Sequence, residues 1–151
     1  MPVKIERATR WSGCYGRRGD LFTQDSNKHP AKMAVPLCYR IFEHGQKQGY
    51  WKPGDTILDP MGGIGTTGIV GASLGYNVVL VELEHHFLSM AAANIWLLRT
   101  KMPNASRIEL LQGDARQFEA VLAQADAGVC SPPYGGEPRQ GSDQHSERQQ
   151  G

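Results

Sequence analysis

A glycine-rich segment between residues 59 and 67 is the first part of the chain whose residue types indicate chemistry. It reads Asp59-Pro60-Met61-Gly62-Gly63-Ile64-Gly65-Thr66-Thr67. An apolar run precedes it and a helical pattern follows it, so we expect its backbone N–H groups at the carboxyl edge of a sheet, where open α/β folds bind ligands. The three glycines permit close approach by a ligand. The Asp59 carboxylate can meet a cationic group such as an amino-acid ammonium. The alternative is a tight strand-to-helix turn with no ligand.

Acidic residues follow the next two predicted strands. Glu82 ends the β-branched run 77–81, about 20 residues after the glycines, where nucleotide-binding folds place an acidic side chain that accepts hydrogen bonds from ribose hydroxyls. Glu84 is the alternative ribose ligand. Asp114 follows the third predicted strand, and its carboxylate is expected to receive an adenine amino group or to cap the following helix.

A second motif, Ser131-Pro132-Pro133-Tyr134, follows the fourth predicted strand. Its two prolines fix φ and remove two N–H donors, so a stiff turn can present carbonyl groups and one side-chain acceptor to an incoming amine. Tyr134 offers a flat face on which an extruded base can stack. The motif therefore favours an amino-group acceptor, and a purely structural turn is the alternative.

Strand-like and helix-like segments alternate between these motifs. Predicted strands cover 56–58, 77–81, 107–111 and 127–130, and predicted helices cover 36–45, 69–74, 88–98 and 117–123. Pro36 suits the first turn of the first helix, and Gly45 suits its C-terminal cap. The alternation predicts βαβ units and an α/β fold with a doubly wound, mainly parallel sheet.

Composition limits the class of protein. The chain has 151 residues, of which 40% are hydrophobic and 21% charged, as is typical of a globular protein. Its formal net charge of +1 neither requires nor excludes a polyanionic partner. The three cysteines form no CxxC pair, which argues against a zinc site or a disulfide framework. No apolar run approaches the roughly 20 residues that span a bilayer, so we expect a cytoplasmic protein without a membrane partner.

The two motifs together resemble the paired signature of the amino-group DNA methyltransferases, which act on the 4-amino group of cytosine or the 6-amino group of adenine. Lys28-His29-Pro30-Ala31-Lys32-Met33 also resembles the family segment beside the methionine part of the cofactor. The resemblance covers about residues 27–134. It implies a Rossmann-like methyltransferase fold with S-adenosylmethionine as methyl donor and no metal.

The resemblance also implies a role for each motif residue. The implied cofactor-binding residues are His29, Asp59, Pro60, Gly62, Gly63, Gly65, Thr66, Glu82 and Asp114. In the family, Ser131 and the carbonyl of Pro132 accept hydrogen bonds from the target amine, and Pro133 and Tyr134 complete the motif. A motif that begins with Ser rather than Asp favours cytosine over adenine.

Three regions follow from these patterns: an irregular arm (1–29), a cofactor-binding core (30–134) and a disordered tail (135–151) without apolar residues. The order of motifs resembles the arrangement in which the target-recognition region follows the catalytic motif. The sequence therefore predicts an incomplete sheet, in a truncated chain or in one that a second polypeptide completes. The expected substrate is DNA, as in restriction-modification. RNA methylation and a non-catalytic cofactor-binding fragment or subunit are the alternatives.

Overall fold

A four-stranded sheet forms the centre of the molecule. The computed structural model describes residues 11–16, 19–29, 32–117, 119 and 123–131. The strands are β1 (Thr56–Asp59), β2 (Asn77–Glu82), β3 (Ile108–Gln112) and β4 (Ala127–Gly128). Their order is β3-β2-β1-β4, and each neighbouring pair is parallel. This confirms the predicted α/β class and the parallel sheet, each strand lying within a residue or two of its predicted range.

Three α-helices beside the sheet lie wholly within the described residues. They are α1 (Val35–Gln48), α2 (Thr66–Ser73) and α3 (His85–Lys101). Helix α2 follows β1 and α3 follows β2, as the βαβ pattern predicts. The predicted helix 117–123 and the predicted tail 135–151 fall largely or wholly outside the described residues.

Helix α1 is longer than the sequence predicts. Gly45 was expected to end it, and this is wrong: the helix continues to Gln48, and Gly49 caps it with φ 77°. Gly45 serves packing instead, because a Cβ atom there would lie 2.0 Å from Cζ2 of Trp51. The indole Nε1 of Trp51 donates to the carbonyl oxygen of Phe42 at 3.1 Å. The local sequence pattern predicted a structural role for Gly45. It could not show that this role is to leave room for the ring of Trp51, six residues further along the chain.

Part of the predicted irregular arm is regular. Gln24–Lys28 forms a 3₁₀ helix, and Ser26 within it is fully buried. A turn this short has too few residues to show a hydrophobic period. Its position depends on contacts with α3, which are described with the site.

The two faces of the sheet bury different side chains. Ile57, Val78 and Leu80 lie in one cluster with Phe42 of α1 and Val70 of α2. The alternate strand residues form a second cluster on the opposite face: Leu58, Val79 and Val81, with Leu111 and Ala125 against them. Burial on both faces explains why β1 and β2 carry continuous apolar runs rather than alternating ones.

Candidate functional site

The glycine-rich segment is a tight turn that joins β1 to α2. The N–H of Gly62 donates to the carbonyl oxygen of Val81 at 2.8 Å, and the N–H of Gly65 donates to that of Gly62 at 2.8 Å. Gly65 is the N-cap of α2 with φ 85°, and Gly63 has φ 53°. These positive φ values require glycine at both positions, because a Cβ atom is strained there. The turn thereby brings the start of α2 to the carboxyl edge of the sheet.

Asp59 places a carboxyl group under this turn. The residue is 2% exposed, and its Oδ1 accepts a hydrogen bond from the N–H of Met61 at 3.0 Å. Burial raises the pKa of Asp59 to about 6, and the charge of Glu82 contributes in the same direction, whereas hydrogen bonds from Thr67 and Met61 oppose the shift. A cation beside Asp59 would favour its ionised form. The site is therefore suited to a positively charged group.

Glu82 ends β2 on the other side of the turn. Its Oε2 accepts a hydrogen bond from the N–H of Gly63 at 2.7 Å, and its Oε1 accepts one from the N–H of Glu84 at 2.8 Å. Glu84 is exposed and occupies the N-cap position of α3. Of the two candidates for a ribose ligand, Glu82 is the one whose carboxylate lies against the glycine turn.

His29 comes from a distant part of the sequence to the same turn. Its Nε2 lies 3.5 Å from the position that a Cβ atom of Gly63 would take. The imidazole also packs on the ring of Phe87 near the start of α3, with ring centroids 4.1 Å apart. The segment that precedes α1 therefore forms one wall of the site.

Ser131 reaches this site from the end of β4. It lines a cavity of about 30 Å³ together with His29 of the arm, two residues just before α1, and residues of β1 and of the turn. The lining residues are His29, Lys32, Met33, Asp59, Met61, Gly62, Gly63, Ile64, Thr66, Thr67 and Ser131. Burial, followed by the charge of Asp59, raises the pKa of the neighbouring Cys130 thiol. Pro132, Pro133 and Tyr134 lie outside the described residues.

The remaining predicted ligands occupy other positions. Pro60 is half-buried at the beginning of the turn. A Cβ atom on Gly65 would lie 3.4 Å from the Cβ of Ala91, so this glycine faces α3. Asp114 accepts hydrogen bonds from the N–H and the Nε of Arg116 at 2.9 and 3.0 Å. The hydrogen bonds and charge of Arg116 lower the pKa of Asp114 to about 2. These contacts match the capping alternative, and an adenine contact stays a prediction.

Residues 6–93 match the family model of the N6/N4 methyltransferases, described as DNA methylase. The chain belongs to this family of amino-group DNA methyltransferases. The match runs from residue 6 in the arm to the first half of α3.

Two curated type II methyltransferases are similar to this family member. The chain is 32% identical over 98 residues to M.HinfI of Haemophilus influenzae, covering 65% of this chain and 25% of that protein. It is 32% identical over 81 residues to M2.DpnII of Streptococcus pneumoniae, covering 54% of this chain and 27% of that protein. The chain therefore spans about a quarter of the length of these curated relatives.

One solved structure supports the fold. A candidate methyltransferase from Porphyromonas gingivalis W83 matches with a TM-score of 0.51 at 20% sequence identity, covering 73% of this chain and 25% of that chain. At this identity the likeness concerns the fold alone. The family assignment and this likeness agree on a Rossmann-like methyltransferase fold, of which the described sheet is a part.

The sequence patterns predict no role for Asn94 in this family member. Its side chain is fully buried in α3, on the same helix face as Ala91 and Leu98. A polar residue on an otherwise apolar helix face must find hydrogen-bond partners or destabilise the fold. The interruption of the apolar stripe by Asn94 is the sequence feature that indicates a buried hydrogen-bonded amide. Its partners lie in the arm and the glycine turn, which no sequence period connects.

Within residues 11–16, 19–29, 32–117, 119 and 123–131, no group of three or more His, Cys, Asp or Glu side chains is arranged to hold a metal ion. None of the helices in that part of the chain is both long and apolar enough to cross a membrane.

Proposed function

We propose that this chain forms the S-adenosylmethionine-binding part of a DNA methyltransferase that modifies the exocyclic amino group of cytosine (N4) or adenine (N6). The observation that carries the proposal is the convergence of Asp59, Glu82, His29 and Ser131 around one glycine turn. Membership of the amino-group DNA methyltransferase family supports the reaction class.

The donor and acceptor groups of the site fit this cofactor. S-adenosylmethionine carries an ammonium and a ribose diol, and the site offers a buried carboxylate at Asp59 and a second carboxylate at Glu82. The cavity beside Asp59 is large enough for a group of at least the size of a water molecule, and an ammonium is of about that size. When bound, the cofactor supplies an electrophilic methyl group. Pro60, Gly62, Gly63, Gly65 and Thr66 would form the turn around it.

In this proposal one set of residues binds the methyl donor and another binds the target base. Asp59 and Glu82 would bind the methyl donor. Asp114 would give up its hydrogen bonds with Arg116 and contact the adenine of the donor instead. Ser131 and the carbonyl of Pro132 would accept hydrogen bonds from the target amine, which raises electron density on the attacking nitrogen. Tyr134 would stack on the extruded base. A motif beginning at Ser131 favours cytosine as the target.

Cofactor binding is tested by titration calorimetry with S-adenosylmethionine. Asp59→Ala is expected to weaken binding at least about tenfold, because one charge-assisted hydrogen bond contributes roughly 1.5–3 kcal/mol. Asp55→Ala is the matched control, since this carboxylate accepts its hydrogen bond from Lys52 in the turn before β1. Equal affinities of Asp59→Ala and wild type would refute the pocket assignment.

Methyl transfer is tested with methyl-labelled S-adenosylmethionine, separate DNA and RNA pools, and digestion to nucleosides. Label in N4-methylcytosine or N6-methyladenine from DNA supports the proposed activity, and label in RNA alone would overturn the DNA assignment. Cofactor binding without label in either pool would show a cofactor-binding chain that does not transfer the methyl group alone. Label that appears only after adding a second polypeptide would assign target recognition to that partner.

A further inference from the structure

Asn94 joins two parts of the site that are far apart in the sequence. Its Nδ2 donates to the carbonyl oxygen of Ile64, inside the glycine turn, at 2.9 Å. Its Oδ1 accepts hydrogen bonds from the N–H of Thr23 at 2.8 Å and from the hydroxyl of Ser26 at 2.9 Å. The amide thus uses donor and acceptor together, and both Asn94 and Ser26 are fully buried.

The arm that Asn94 holds carries His29. His29 is the third residue after Ser26, and the N–H of His29 lies 3.4 Å from the carbonyl oxygen of Ser26. His29 in turn approaches Gly63 and packs on Phe87. A change in the distance between arm and turn would therefore move the histidine relative to the cavity beside Asp59.

We propose that Asn94 is a positioning residue that fixes the arm carrying His29 against the glycine turn and so sets the affinity for the methionine half of the cofactor. The inference rests on the proposed function. Asparagine suits the task because one amide both donates to a carbonyl and accepts from an N–H and a hydroxyl. An ionised aspartate has nearly the same shape but no donor for the carbonyl oxygen of Ile64.

Asn94→Asp in the full chain tests the proposal, with dissociation constants measured for S-adenosylmethionine and for adenosine, which lacks the methionine half. We expect the affinity for S-adenosylmethionine to fall about tenfold, as for a lost buried hydrogen bond, with a much smaller change for adenosine. Asn77→Asp is the matched control. Its amide donates to the carbonyl oxygen of Gly54 at 3.1 Å, at the amino end of β2.

The ratio of the two affinities distinguishes positioning from general stability. A merely structural Asn94 would lower the melting temperature, as Asn77→Asp would, and leave the ratio unchanged. That result would overturn the inference. Ser26→Ala, which removes only a hydroxyl, is expected to shift the ratio in the same direction by a smaller factor. It serves as the test if Asn94→Asp does not fold, and an unchanged ratio there would also overturn the inference. If wild type binds no S-adenosylmethionine, the proposed function fails first.

Discussion

Asp59 is a buried acidic residue, of which only 2% is exposed to solvent. Burial holds its pKa at about 6, above the ordinary value of 3.8. Because the folded protein then binds this proton more tightly than the unfolded chain, the contribution of Asp59 to stability is full below about pH 4 and is lost as the pH rises through 6. The ionised carboxylate therefore destabilises the fold at neutral pH, which agrees with the proposed role of Asp59 in binding a cation.

Asp59→Asn should gain stability relative to wild type as the pH rises. Between pH 4.5 and pH 7 we expect a relative gain of about 2 kcal/mol, since each pKa unit corresponds to about 1.4 kcal/mol. Urea unfolding at both pH values measures it. Asp114→Asn is the control. Arg116 lowers the pKa of Asp114 to about 2, so the stability that Asp114 contributes is lost only below about pH 4 and should not change between pH 4.5 and pH 7. A constant difference between Asp59→Asn and wild type would contradict the role of burial.

Glu82 uses both carboxylate oxygens to accept backbone N–H groups. In Glu82→Gln the amide nitrogen would face one of these donors, so we expect a destabilisation of about 1–3 kcal/mol together with weaker cofactor binding. Glu84→Gln changes an exposed side chain and should alter stability by less than about 0.5 kcal/mol. Denaturant unfolding of the pair provides the comparison, and equal effects would refute the assignment of Glu82 to the turn.

Among the elements, α2 packs on β2 through its glycines. A Cβ atom at Gly68 would lie 2.7 Å from Cδ1 of Leu80, and one at Gly71 would lie 2.7 Å from Cγ2 of Val78. The absence of side chains lets the helix backbone approach the strand closely. This approach keeps the start of α2 directly above the ends of β1 and β2, where the glycine turn lies.

Helix α1 offers a test of the same principle. Gly45→Ala should destabilise the protein by about 1–3 kcal/mol through overpacking against Trp51, even though alanine favours helices by up to about 1 kcal/mol. In a Trp51→Ala background the same substitution should be neutral or stabilising. A double-mutant cycle by chemical denaturation measures the coupling. An equal cost in both backgrounds would show that the indole ring does not require the glycine.

The order of strands assembles the site at the scale of the whole molecule. Because β1 lies between β2 and β4 and all three are parallel, their carboxyl ends meet at one edge. That arrangement brings Asp59, Glu82 and Ser131 together, and the arm adds His29. A ligand bound at this edge would contact the arm, the glycine turn and the ends of β1, β2 and β4, so binding should stabilise the fold as a whole.

S-adenosylmethionine should therefore raise the melting temperature. At one hundred times its dissociation constant we expect about 2.7 kcal/mol of stabilisation, or roughly 5–10 °C for a protein of this size. Differential scanning fluorimetry with wild type and Asp59→Ala at the same ligand concentration measures the shift. The variant should show a clearly smaller one, and equal shifts would place the ligand elsewhere.

The amino-acid sequence determined the local conformations and their order. Glycines at 62, 63 and 65, β-branched runs and the alternation of strand-like and helix-like segments predicted the turn and the parallel sheet, because each pattern depends on backbone preference and burial within a few residues. The motifs at 59–67 and 131–134 could be recognised as resembling the family signature because each is a short continuous segment.

Only the tertiary structure decided which distant groups meet. It set Glu82 rather than Glu84 against Gly63, paired Asp114 with Arg116, and placed Trp51 over Gly45. Asn94 is the clearest case, since an amide on an apolar helix face signals a buried partner without saying where it lies. Hydrogen bonds between remote segments depend on how helices and strands pack. No periodicity in the sequence indicates which remote segments come within hydrogen-bond distance of each other.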